Sequence, residues 1–350
     1  MSRPSLGLNG TNGNLYEHHD LFNEKGIAVC AGLLPRQVVK ALFCMSAAMC
    51  HAVAGQEIAE AKAVPRLQVV PQTYEQASFQ REGVEITRYH FGAGLERPFL
   101  FPVIGPAGRS LTRMGHPHDP ESHSHHNSVW MSHVDVGGVD FWSDRRLGIV
   151  RHKRIVKYED EGEKSYLVAE NEWVDKDGKA LLNETRQVTV MLLEGKEWLL
   201  VIDSVFTAKD KAVTLGKTPF GFLGVRMAKT IGVNDGGGRI RNSEGGVNEK
   251  EVLWKQARWV DYSGAIEDGK IEGITLFDHP GNPNHPSYFH VRNDGWMGAS
   301  LTYDTPREIQ PDHPLHLRYG LYIHREMKPR DTLEAVWKRF IKNDESPKKN

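Results

Sequence analysis

From Arg66 onward, apolar and polar residues alternate with a period of two over much of the chain, the pattern of strands with one face in a core. Arg66–Val70 and Gly83–Phe91 show it with β-branched and aromatic side chains. Arg97–Ile104 is a short apolar run bounded by prolines, and Gly105-Pro106-Ala107-Gly108 marks the turn after it. The same reading predicts strands over Val129–Val136, Gly148–Tyr158, Lys164–Val174, Gln187–Leu192, Trp198–Phe206, Phe222–Met227 and Ile274–Phe277. Asp177-Gly178 suits the positive φ of a hairpin turn. Leu315, Leu317, Tyr319, Leu321 and Ile323 alternate with His316, Arg318, Gly320, Tyr322 and His324, giving a late strand with one polar side. A single helix is expected at the end. Asp331 is its predicted cap with Glu334 three residues on, and Leu333, Val336, Trp337, Phe340 and Ile341 form its apolar stripe. Many short strands, frequent Gly/Pro turns and no fixed-period repeat predict an all-β fold: one large antiparallel β-sandwich over residues 66–341, with a short C-terminal helix and a polar tail at 342–350.

The N-terminus reads differently. Residues 1–35 are polar and Gly/Asn-rich and are expected to be an extension outside the fold. Arg36 and Lys40 precede the apolar run Ala41–Cys50, and Ala52-Val53-Ala54 supplies small residues before Gly55. That order predicts a secretory signal peptide at 36–54 and a periplasmic or secreted product, with 55–65 as a linker. Cys30, Cys44 and Cys50 all precede the expected cleavage site. The mature chain would then have no disulfide, no Cys-ligated metal and no thiol nucleophile, and any metal would need N and O ligands.

Charge is balanced, 44 Lys+Arg against 45 Asp+Glu, with no basic stripe to track phosphates, so nucleic acid is not an expected partner. No segment after the leader has the length to span a bilayer. Asn234–Gly238 and Ser243–Gly246 are turns without the strand–GxGxxG–helix context, and no nucleotide cofactor is expected.

The candidate chemistry lies in His116–His133, which holds six of the 17 histidines. Read as an extended segment, it projects His123 and His125 to one side and His126 to the other. With His133, or with His116, His118, Asp119 or Glu121, these imidazoles suit one divalent metal such as Zn, Mn, Fe or Cu. Equally, His123 and His125 suit metal-free acid–base work on a polyhydroxyl substrate, and the plainer reading is a solvated polar loop. A second constellation runs through Trp259, Asp261, Asp278, His279 and Asn282. There Asp278 would orient His279, or Asp278 and Asn282 would simply bond turn backbone. Arg226 is a candidate clamp for hydroxyls or a carboxylate. Trp130, Trp142, Trp259 and Trp296 offer faces to sugar rings, or fill the core.

The run His123–Trp142 resembles the signature DHxHHxSLWFxHGDVNGxDFW of a bacterial family labelled "methane oxygenase PmoA". Also similar are Arg97-Pro98-Phe99, Glu172-Trp173, Asn242–Gly245, Trp259–Gly264, Asp278–Pro283 and Leu317-Arg318-Tyr319, so that the likeness spans about Arg66 to Arg325. The chain departs at Ser122, where Asp is usual, and at Gly137, where Asn is usual. The resemblance implies a protein met among bacterial sugar-catabolism genes, with a galactose-mutarotase-like supersandwich or jelly roll whose cleft uses His and carboxylates on sugars. The expected activity is an exported enzyme that cleaves or isomerises a glycoside or oxidised sugar, a glycoside hydrolase, lyase or epimerase. Its substrate would be a small molecule or an oligosaccharide. The alternatives are a non-catalytic sugar-binding module and the metal-dependent oxygenase of the label.

Overall fold

A computed structural model describes residues 63–115 and 123–342. The expected extension and leader, most of the linker, the three cysteines, His116, His118, Asp119, Glu121, Ser122 and the tail from 343 lie outside the described residues.

Among the described residues nineteen strands, numbered in chain order, form two large antiparallel sheets and a ribbon. The nine-stranded sheet runs β1 (Leu67–Gln72), β2 (Gln76–Arg81), β3 (Val84–His90), β4 (Phe99–Val103), β5 (Val129–His133), β11 (Gly221–Arg226), β17 (Trp296–Ser300), β16 (Tyr288–Arg292), β13 (Lys255–Gln256). The eight-stranded sheet runs β12 (Arg239–Asn242), β14 (Trp259–Glu267), β15 (Lys270–Asp278), β19 (Leu315–Arg325), β9 (Trp198–Ala208), β8 (Ala180–Leu192), β7 (Lys164–Asp175), β6 (Gly148–Glu161). β10 (Val213–Leu215) pairs with β18 (Arg307–Ile309). Among the described residues helix is confined to α1 (Val233–Gly236), α2 (Asn248–Val252), α3 (Arg330–Lys342) and short 3-10 turns. No described helix is long and apolar enough to cross a membrane.

Period-two alternation decides what lies between the sheets. On β9, Leu200 and Ile202 enter the common core while Leu199 and Val201 face away from it. Contacts cross directly from sheet to sheet: Phe222 of β11 lies 5.1 Å from Phe206 of β9 and 5.8 Å from Trp173 of β7, ring to ring. The fold is therefore an antiparallel β-sandwich with a short C-terminal helix. Each sheet has more strands than half of an eight-stranded jelly roll.

The two outer faces are covered differently. On the eight-stranded sheet, α3 lays Leu333, Trp337 and Phe340 onto Leu199, Val201, Trp259, Phe277 and Tyr322. The helix begins at Arg330, so Asp331 sits within its first turn and is not the cap. Glu334 closes no capping box either. It accepts hydrogen bonds from Arg258 Nη2 (2.7 Å) and Trp259 Nε1 (3.0 Å), fastening the helix to the sheet.

Candidate functional site

The outward face of the nine-stranded sheet holds the site. Register places Phe99, Trp130, Gly224, Gly298 and His290 in one row across β4, β5, β11, β17 and β16, and Arg226, Trp296 and Arg292 in the next. The alternate positions Val129, Met131, Leu223, Val225, Met297 and Ala299 fill the core, so both rows point away from it. Glycine shapes this floor. A Cβ at Gly224 would meet Trp296 Cη2 at 2.8 Å and Trp130 Cζ2 at 2.9 Å, and one at Gly298 would meet Trp296 Cζ2 at 2.7 Å. Both indoles lie down on the sheet because two side chains are missing there.

The histidines reach the floor through a turn, not an extended segment. His126 N–H donates to His123 C=O at 3.0 Å, so the chain doubles back and all three rings gather. His123 and His126 stack at 4.4 Å with an 8° interplanar angle, and His125 meets His126 edge-on at 4.5 Å. His126 in turn stacks on Trp130 (5.2 Å) and Trp296 (4.9 Å). Arg97, 1% exposed, holds the turn from behind through His125 C=O (3.2 Å), Asn127 Oδ1 (2.8 Å) and Ser143 C=O (3.2 Å).

Above this floor opens a cavity of about 440 Å³, walled by Trp142, Phe220 and Trp296 and by His123, His125, His126 and His290. Asp140, Ser143, Arg145, Arg292 and Asp294 complete it. Asp140 accepts from Trp142 N (2.7 Å), Ser143 N and Oγ (3.1 and 2.7 Å) and Arg145 Nη2 (2.8 Å). Burial pushes its carboxyl up, but those donors outweigh it and hold the group below the usual carboxylate range. Burial lowers His125 and His290 to about 4, and takes His126 lower still, so these imidazoles are neutral at pH 7. His126 Nδ1, His290 Nδ1, Trp130 Nε1 and Trp296 Nε1 are buried without a hydrogen-bond partner among the described residues. A ligand or water supplying both donors and acceptors would satisfy them.

Several sequence expectations need correction. His133 lies on the core side of β5, where its Nδ1 accepts from Asp135 N–H (3.1 Å) and its Nε2 donates to Thr302 Oγ1 (2.9 Å). Both nitrogens are engaged, so His133 is no third ligand to His123 and His125. Among the described residues no three His, Cys, Asp or Glu side chains gather as metal ligands. Trp259 and Asp261 point out of the other sheet. Trp259 lies beneath α3, and Asp261 is held by Arg241 (2.5 Å), Ser263 (2.9 Å), Thr275 (3.0 Å) and His324 (2.9 Å). Asp278 orients His285 (2.7 Å), not His279, and also accepts from Asn282 (2.7 Å) and Ser287 N (2.8 Å). Asn282 further bonds the Arg318 backbone, as a turn residue does. His279 packs edge-on against Phe340 of α3 and does not line the cavity. Of the expected site residues, the structure brings together His123, His125, Trp130 and Arg226, with Trp142 and Trp296. The sequence reading did not single out Asp140, His290, Arg292 or Asp294. For His290 the available signal was its outward position in the alternating run Tyr288–Arg292.

Neutral buried histidines make stability depend on pH. Burial also lowers His133 to about 4, below the value near 6.5 of an unfolded chain. Between those values the unfolded chain binds protons that the native state refuses, so stability rises with pH and is lost on acidification from about 6.5 to 4. Each such histidine adds a slope on the order of 1 kcal/mol per pH unit in that window. Urea unfolding across pH 4–7 is expected to show this loss, and His133→Gln is expected to flatten it; an unchanged slope in that variant would refute the assignment.

An antiparallel sandwich carrying an indole- and imidazole-lined cavity on the outward face of one sheet defines the class as a pocketed β-sandwich protein. Residues 76–338 match the family described as "Family of unknown function (DUF6807)", and the chain belongs to it. No curated protein matches the sequence. Solved structures similar to it include a TPR-domain containing protein from Parabacteroides distasonis, at 9% identity and a TM-score of 0.34 over 80% of this chain and 50% of that one. A GalM/aldose epimerase homologue from C. elegans matches at 8% identity and a TM-score of 0.32, over 75% of this chain and 100% of its own. A polysaccharide lyase matches at 9% identity and a TM-score of 0.30, over 76% of this chain and 33% of its own.

Proposed function

We propose that the chain is an exported carbohydrate-active enzyme that takes a glycoside or oxidised sugar into this cavity and cleaves or isomerises it. The observation that carries the reading is the convergence of indole faces and neutral imidazoles on one cavity large enough for a sugar ring. Trp142 and Trp296 would stack on the C–H faces of the ring. His125, neutral at pH 7, would accept a proton from a substrate hydroxyl or from the carbon beside a carbonyl. Arg145 and Arg292, both at the rim, would meet the carboxylate of an oxidised sugar.

A second reading, a binding module without turnover, is favoured by the same low basicity of His125 and His290, which makes either a weak proton carrier. A screen of glycosides and uronates separates the two: an enzyme yields product, whereas a binder shows calorimetric saturation with ligand recovered intact. For an enzyme, His125→Ala is expected to lower kcat/KM by about 10²–10⁴-fold with the unfolding midpoint little changed. Full activity in that variant would reject the assignment. Elemental analysis of the same preparation tests the third expectation, since about one equivalent of iron or copper would favour the oxygenase.

A further inference from the structure

Arg226 leaves β11 beside Trp296 and is 1% exposed. Its two terminal nitrogens diverge. Nη1 donates to Asp294 Oδ1 at 3.1 Å, and Nη2 donates to His123 Nδ1 at 3.3 Å. Asp294 is itself fixed, because the same Oδ1 accepts from Trp296 N–H at 3.1 Å. A carboxylate thus anchors a guanidinium, and the guanidinium meets an imidazole that lines the cavity.

The chemistry of this contact has one direction. A guanidinium carries only donors and stays protonated in proteins, so His123 Nδ1 must be the acceptor. Whenever the His123 ring is neutral, its proton then resides on Nε2. A proton on Nδ1 would set two N–H groups against each other beside a buried cation. The stacked His126 ring, 4.4 Å away, restricts rotation of His123 out of the contact.

We propose that Arg226 is a positioning residue that locks His123 in the Nε2–H tautomer, making it a hydrogen-bond donor and assigning the base role to His125. The lock itself stands on geometry. Its division of labour rests on the sugar-enzyme reading above, in which His123 would donate to a hydroxyl or carbonyl oxygen while His125 accepts. It gives distinct roles to His123 and His125, which the sequence reading named together as acid–base candidates.

Long-range ¹H–¹⁵N correlation spectra of ligand-free protein at pH 7.5 test the lock directly, with His123 assigned by loss of its signals in His123→Gln. The wild type is expected to show Nδ1 unprotonated and Nε2 protonated, a preference on the order of ten- to a hundredfold for a charge-assisted bond. Arg226→Gln is expected to bring the two tautomers to comparable populations, and Arg226→Lys to restore part of the preference. A proton on Nδ1, or a tautomer mixture in the wild type, overturns the proposal, and this result requires no variant to fold. Because no sugar is present, failure of the lock and failure of the sugar reading are read separately.

Discussion

Gly224→Val is expected to lower stability by about 1–3 kcal/mol, the usual cost of overpacking, and to reshape the cavity above it. The new side chain would point from the outward face of β11 into space already taken by Trp130 and Trp296, at 2.8–2.9 Å for the Cβ alone. Neither indole can sink further, because β5 and β17 flank β11 directly beneath them. The rings must therefore tip upward into the cavity, taking with them His126, which stacks on both. Urea unfolding measures the stability loss, and near-UV circular dichroism reports the altered packing of Trp130, Trp142 and Trp296. An unchanged near-UV spectrum with unchanged stability would mean that the glycines do not seat the indoles. Valine favours strands, so its propensity works against the expected sign and cannot account for a loss.

The same row shows what the sequence could and could not convey. Alternation revealed β19 because its apolar residues recur every second position in a long run, and the continuous apolar run Trp198–Ile202 revealed β9. The density of histidines drew attention to Trp130 of the floor, which lies within His116–His133, and to Trp142 shortly after it. What the sequence did not convey was which outward face each residue joins. Trp259 and Phe277 alternate as well as Trp130 does, yet they face out of the opposite sheet beneath α3. Only pairing over long separations, such as Gly224 with Trp130 and Gly224 with Gly298, decides this. The histidine turn was missed for a local reason: Ser124 and His125 carry no Gly or Pro to mark a reversal, and Arg97, nearly thirty residues away along the chain, holds it (His125 C=O, |i−j| = 28). Strands carrying inward polar groups escaped in part for the opposite reason. β8 was expected to begin at Gln187, whereas the strand begins at Ala180 and buries Glu184 and Arg186.

That buried pair supports the other large expected effect. Glu184 and Arg186 are 1% and 2% exposed and meet through two bonds, Nε to Oε1 at 2.7 Å and Nη2 to Oε2 at 2.9 Å. Ser204 Oγ and Trp173 Nε1 donate to the same carboxylate, each at 2.9 Å. Every strong acceptor position on Glu184 is thus used inside the sandwich, where water cannot replace a lost partner. Glu184→Ala is expected to cost about 3–5 kcal/mol, because it leaves the Arg186 guanidinium buried without its counter-charge. That is a large share of the roughly 5–15 kcal/mol that holds a typical domain folded. Replacing both partners together, Glu184→Leu with Arg186→Met, is expected to cost much less than the sum of the single changes, because no charge is then left stranded. A double-mutant cycle by urea unfolding measures the difference. Additive losses would show that solvent reaches the pair, and with it that the two sheets are less tightly closed around β8 than these distances require.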